Sequence, residues 1–288
     1  MNTRTDYVPV DLDPHAPKQR FPAGSCDCHF HVFEGAEHFP YSEPRNYTPT
    51  PARLEDYRAM VAKLGIERCV LVHPSVYGGD HRSFEKLLSA NQGWMRGVAV
   101  VRAEHSEQDV ARWHALGARG ARLNALYAGG AALDDVPAII ERIRPFNWHL
   151  QLLIDVGATP ELAGRAADMG VTVVLDHFGH LAAARGPRDP GFANLLSLVR
   201  EGRAWVKVSG AYRVTGTRGD YADVRPLSDA LLAANPAQLV WGSDWPHPSI
   251  APPMVKDADL ANLLIDWVDP ASRQRILVEN PARLYWWD

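Results

Sequence analysis

Four side chains in this sequence are of types that do chemistry and stand where a fold can bring them together. His29 and His31 lie two apart in CDCHFHV, His177 closes VTVVLDH, and Asp244 closes QLVWGSD. Side chains alternate along a strand, so Asp27, His29 and His31 are expected on one face of their run and Cys26, Cys28 and Phe30 on the other. A carboxylate at its ordinary pKa can take a proton from water, and imidazoles can donate to a developing oxyanion. The same four also make a three-nitrogen, one-oxygen set for one divalent ion, zinc or manganese, whose bound water would attack. Both routes are hydrolytic.

A second group bears on what would be hydrolysed. Arg122 and Asn124 end the run ARGARLN, and Arg213 follows AWVKVSG beside Tyr212. A guanidinium clamps a carboxylate through two parallel hydrogen bonds, so arginines near the reacting groups favour an anionic substrate. Either arginine could instead serve a surface ion pair. Tyr47 and Tyr127 fall on loops expected at the same end, as substrate contacts or as packing, and His180 follows His177 by three residues.

The elements that must hold these groups alternate. Eight β-rich runs, at 26–32, 69–74, 96–101, 118–124, 149–156, 171–177, 204–210 and 238–244, are separated by amphipathic stretches such as 51–64, 107–116, 136–146, 160–169, 190–200 and 223–234. Strand–helix alternation implies right-handed crossovers and a parallel sheet, and eight repeats in one chain match a closed (β/α)8 TIM barrel, an α/β fold. No glycine-rich phosphate loop follows the first run, which removes the main reason to expect a dinucleotide-binding fold. Residues 1–24 read as an irregular N-terminal arm, residues 25–288 as the barrel, and residues 33–50 as a long loop over the mouth. Barrel enzymes draw their catalytic groups from the C-terminal ends of several strands, as the four residues here require.

Cys-His-Phe-His at 28–31, LDHFGH at 175–180, KVSGAYR at 207–213 and WGSDWPHP at 241–248 together resemble the 2-pyrone-4,6-dicarboxylate lactonase-like branch of the amidohydrolase superfamily. The similarity runs in order from residue 21 onward. It implies a lactone hydrolase in which Asp244 activates water, His29, His31 and His177 bind the reacting carbonyl, and arginines hold carboxylates. The branch is expected to carry an arginine where this chain has His180, and another in the loop that here reads ALYAGGA. Fewer cations imply a monocarboxylated or sugar lactone. Arg122 stands where a binuclear amidohydrolase presents Lys or Glu, and Gln151 and Asp155 lie on the run where such enzymes use His. No required cofactor is therefore expected, with one divalent ion as the alternative. A metal-dependent decarboxylase, or another metallohydrolase on the same barrel, is the competing activity, and a binding protein on a retired barrel is disfavoured because all four central residues are present.

Bulk properties agree. The 288 residues, 46% hydrophobic with a net charge of −4, can bury one large core and offer no basic face for nucleic acid or anionic lipid. No apolar run reaches the ~18 residues of a membrane span, and the first residues lack the apolar core of a signal peptide. Three cysteines fit a reducing compartment, so a cytoplasmic enzyme is expected. The end LYWWD packs on the barrel or forms an interface in a homo-oligomer.

Overall fold

The structure, a computed structural model, describes residues 10–11, 15–126, 133–217, 219–250 and 253–287. Eight parallel strands pair in chain order: β1 (Cys26–Phe30), β2 (Arg68–Val72), β3 (Met95–Ala99), β4 (Ala118–Asn124), β5 (His149–Leu153), β6 (Val173–Leu175), β7 (Ala204–Lys207) and β8 (Leu239–Val240). β1 and β8 are joined by backbone bonds: Cys28 N–H donates to Trp241 O at 2.9 Å, Asp244 N–H to His29 O at 2.8 Å and His31 N–H to Trp245 O at 2.8 Å. The sheet is thereby a barrel, as expected of a (β/α)8 chain. Among the described residues no helix is long and apolar enough to cross a membrane.

Helices cover the strands because each carries one apolar stripe. In Leu54–Leu64 the buried residues are Leu54, Tyr57, Met60, Val61 and Leu64, the i, i+3, i+7 pattern of a surface helix. Ser106 and Asp109 form a reciprocal capping box at the start of Glu107–Ala115, and Asp189 caps Pro190–Arg200. Two helices outside the stretches named above, Arg82–Asn91 and Asp257–Trp267, contribute to the ring. Inside the barrel, Cys26, Cys28, Val70, Val98, Val174 and Val240 fill the floor, with Tyr285 beneath them. Leu284, Tyr285 and Trp286 of the LYWWD segment therefore pack on the barrel, with Arg68 over the Trp286 ring at 4.9 Å. Of the mouth loop, Phe33 pairs with Ala52, Ser42 N–H donates to Val76 O at 2.7 Å, and Tyr47 is buried.

One expectation about β1 is corrected. Asp27 pairs with Cys69 but Phe30 with Leu71, so three steps on β1 oppose two on β2 and the strand is bulged between Asp27 and Phe30. The adjacent residues Cys28 and His29 both turn inward, while Asp27 and Phe30 face the helix layer. Phe30 stacks on Tyr57 at 3.8 Å. Asp27 does not share a face with His29 and His31. It accepts instead from His29 N at 3.0 Å, Ser243 N at 2.9 Å, the Tyr57 hydroxyl at 3.0 Å and the Ser243 hydroxyl, a fully buried staple across the barrel seam.

Removing that acceptor leaves buried donors unpaired, each worth about 1–3 kcal/mol. Asp27→Ala should therefore lower unfolding free energy by about 3–5 kcal/mol, read from the urea midpoint. A loss under ~1 kcal/mol would show that the seam does not depend on this carboxylate.

Candidate active site

The reactive groups come from the C-terminal ends of β1, β6 and β8, where the backbone leaves regular geometry. His177, Phe178, Gly179 and His180 turn through consecutive positive φ values after β6, and Asp244 has φ 62° just after β8. Such conformations are uncommon for non-glycine residues and gather at functional sites. Two glycines make room for the rings. A Cβ on Gly242 would lie 2.6 Å from the His29 Cβ, and one on Gly210 would lie 2.7 Å from His177 Nδ1.

Asp244 is the centre. Its Oδ2 accepts from the Tyr212 hydroxyl at 2.6 Å and from Arg213 Nε. Its Oδ1 is buried and has no hydrogen bond, lying 3.7 Å from His29 Nε2 and 3.8 Å from His31 Nε2. His177 Nε2 lies 3.6 Å from Oδ2, and its Nδ1 lies 2.9 Å from the Ser209 hydroxyl. Burial alone would push the Asp244 pKa up, but Arg213 and the surrounding histidines hold it well below the usual carboxylate range. Burial, followed by the Arg122 charge, lowers His31 to about 4, and burial lowers His177 to about 3, so both rings are neutral at pH 7.

The hydrogen bonds fix where the neutral rings carry their protons. His31 Nδ1 faces the Val72 carbonyl at 2.8 Å, an acceptor only, so the proton is on Nδ1 and Nε2 presents a lone pair. His29 Nε2 lies 3.3 Å from that lone pair and must therefore be N–H. Its Nδ1 is then an acceptor, 3.2 Å from the Lys207 ammonium. A single run of donors passes from Lys207 through His29 and His31 to the backbone.

Behind His29 lies a buried layer that sequence reasoning did not assign to the site. Lys207 and Asp176 are both fully buried and 3.3 Å apart, Gln151 bridges them, and Arg122 Nε is 3.4 Å from the Asp176 carboxylate. Burial opposes the charge on Asp176, yet Lys207 pulls its pKa well below the ordinary value. A lysine at an inward position of the apolar run AWVKVSG was the available signal. His247 is buried as well, with Nδ1 3.2 Å from the Tyr212 hydroxyl and Nε2 3.1 Å from Asp257.

The remaining expected residues gather around a small cavity whose walls include Arg122, Asn124, Tyr47, His180 and Arg213. Arg213 lies on the short helix Ala211–Val214, with its Nε on Asp244 and its NH2 group donating to Pro248 O at 3.2 Å, so its head is engaged by the centre itself. Tyr127 lies outside the described residues. With Arg122, Arg213 and Lys207 against Asp176 and Asp244, three cations face two anions, a net charge of +1 while the histidines are neutral. His29, His177 and Asp244 each bring a ligand atom within 4.8 Å of the others, so the donor atoms also fit one divalent ion, with His31 at the edge of that group.

The chain is similar to known proteins over nearly its whole length. The model of the amidohydrolase family matches residues 26–287. A 4-sulfomuconolactone hydrolase of Hydrogenophaga intermedia is 34% identical, with 97% of this chain and 96% of that protein covered. A 2-pyrone-4,6-dicarboxylate hydrolase of Comamonas testosteroni is 32% identical, with 95% and 94% covered. The apo crystal structure of Agrobacterium tumefaciens ATU3138 superposes with a TM-score of 0.85 at 30% identity, over 95% of this chain and 99% of that one. A more distant barrel, an amidohydrolase of Burkholderia multivorans at 19% identity and TM-score 0.71, holds zinc in its crystal and shares the fold. With strand-end histidines and aspartate in the expected order and the family model spanning the whole barrel, the chain belongs to the amidohydrolase family.

Proposed function

We propose that this chain is a hydrolase that opens the ring of a carboxylated or sugar lactone by attack of an Asp244-activated water, with no metal required. The observation that carries the reading is Asp244 Oδ1: an ionised, buried oxygen without a hydrogen bond, facing a positively charged cavity. The named activities of the two sequence relatives, both hydrolases of anionic lactones, point to the same substrate class.

Water seated against Oδ1 attacks the lactone carbonyl. Its proton passes to Asp244 as the new C–O bond forms, and the ring C–O bond then breaks, the departing ring oxygen taking that proton back. The product is the ring-opened acid. His177, which can accept the Ser209 hydroxyl proton at Nδ1, presents Nε2–H to the developing oxyanion, and the Arg122 guanidinium supplies charge beside it. His31 has its lone pair inward and is better read as an acceptor for the water or for the Asp244 proton than as a third donor. Held at low pKa by Arg213, Asp244 is a weak base. That suffices for a ring ester, whose carbonyl is electrophilic and whose oxygen leaves readily, and is too little for an amide.

Charge sets the substrate class. The +1 centre favours one anionic group near Arg122. His180, lowered to about 4 mainly by burial and then by Arg213, is neutral at pH 7, and a cavity wall with a neutral ring there fits a monocarboxylated or sugar lactone better than a dicarboxylate. If an ion were bound, His29, His177 and Asp244 would hold it and it would supply Lewis-acid polarisation or an ionised water, the basis of the competing metallohydrolase or decarboxylase reading.

Three measurements test this reading. Asp244→Asn keeps shape but not basicity, so kcat for lactone hydrolysis should fall by roughly 10²-fold or more with little change in KM; activity within a few-fold of wild type would remove Asp244 from the reaction. Arg122→Met should weaken binding of an anionic lactone by about 2–5 kcal/mol, against under ~1 kcal/mol for an uncharged one. Equal effects on both would make Arg122 structural. Protein stripped with chelator, its bound metal measured on the same sample, should open carboxylated lactones at the full rate, and activity that returns only with added zinc or manganese would sink the metal-independent mechanism.

A further inference from the structure

We infer that Lys207 keeps a divalent ion out of the reaction centre by deciding which nitrogen of His29 carries the proton, an inference that rests on the metal-independent reading above. His29 Nδ1 lies 3.2 Å from two groups of opposite demand, the Lys207 ammonium and Asp176 Oδ1. Toward Lys207 it is an acceptor; toward Asp176 it would have to be a donor. The contact with Lys207 has hydrogen-bond geometry, whereas Asp176 Oδ1 makes no hydrogen bond. The far side of the ring agrees, because the lone pair of His31 requires a proton on His29 Nε2.

An ion bound between His29, His177 and Asp244 needs the opposite arrangement. It would take the Nε2 lone pair of His29 and drive the proton to Nδ1, where that N–H would meet an ammonium. Metal-binding histidines as a rule have a carboxylate or carbonyl behind them, which orients the ring and strengthens it as a ligand. Here the carboxylate is present as Asp176, 3.2 Å from Nδ1 but without a hydrogen bond to it, and Nδ1 faces the Lys207 ammonium instead. Lys207 is itself held there: its Nζ donates to Gln151 Oε1 at 2.7 Å, sits 3.3 Å from Asp176 and is fully buried. Three cations around the centre also oppose a dication electrostatically. Lys207 is thus a positioning residue that acts through His29.

Lys207→Met removes the ammonium at nearly constant length and leaves His29 Nδ1–H free to donate to Asp176. The variant, stripped and titrated with zinc, should bind the ion roughly 10- to 100-fold more tightly than wild type, the scale of effects that groups behind a ligand exert. In wild type, nitrogen chemical shifts of the His29 ring should report Nε2–H; in Lys207→Met they should report Nδ1–H. A wild-type ring protonated at Nδ1, or a variant with unchanged zinc affinity, would overturn the inference, and the wild-type measurement decides it even if the variant does not fold. If stripped wild type is inactive until zinc is added, the metal-independent reading fails irrespective of Lys207. If stripped wild type is active and Lys207→Met gains no zinc affinity, only the role of Lys207 fails.

Discussion

The reaction centre depends on the seam where the barrel closes. Strands β1 and β8 barely pair as strands, and what joins them is a set of backbone bonds among the candidate site residues and their neighbours. Asp244 N–H is donated to the His29 carbonyl, so the carboxylate and one of the histidines around it are held by one 2.8 Å bond. The buried Asp27 carboxylate clamps both sides of the same seam from the helix layer. The bulge in β1 follows from this: Asp27 must face outward to reach Tyr57 and Ser243, yet His29 must face inward, and one extra residue reconciles the two.

Concentrating charge in so dry a place is unfavourable unless every ion is paired. The barrel meets this in two layers. Below His29 the one Asp176 carboxylate is shared by Lys207 and Arg122, with Gln151 bridging it to Lys207, while Arg213 and Tyr212 engage one oxygen of Asp244 and leave the other unbonded. The layer beneath meets His29 Nδ1 through Lys207, and the layer above leaves Asp244 Oδ1 without a hydrogen bond. Donors held in place before substrate arrives need no reorganisation during the reaction, which is the usual source of electrostatic catalysis. His247 and Asp257 extend the upper layer outward from Tyr212, tying the Asp244 loop to the helix Asp257–Trp267.

Part of the cavity wall comes from elements outside the barrel proper. Tyr47 reaches the cavity from the long loop after β1, and His180 from the positive-φ turn after β6. Neither position bears on barrel closure. Such loops can change charge and shape at little cost to the strands.

Much of this was legible in the chain. Strand and helix repeats follow from local periodicity, and all eight expected strands overlap observed ones. His29, His31, His177 and Asp244 could be picked out because strand ends in a barrel converge on one mouth wherever they lie in sequence. Other features depended on contacts between distant segments. Alternation predicted Asp27 beside His29, and only pairing against β2 revealed the bulge. Arg213 read as a mouth cation, but the Asp244 carboxylate has engaged it. Asp176 and Lys207 sit in motifs visible in the sequence, yet nothing local distinguishes a buried ion pair from polar residues at a strand end. The protonated nitrogen of His29 was furthest from reach, since it is settled by Val72, His31 and Lys207 together, on three strands or their ends. Residue types and spacing determined which groups could meet; the closed barrel decided their partners, because hydrogen bonds in a dry interior are satisfied by whatever the fold brings within reach.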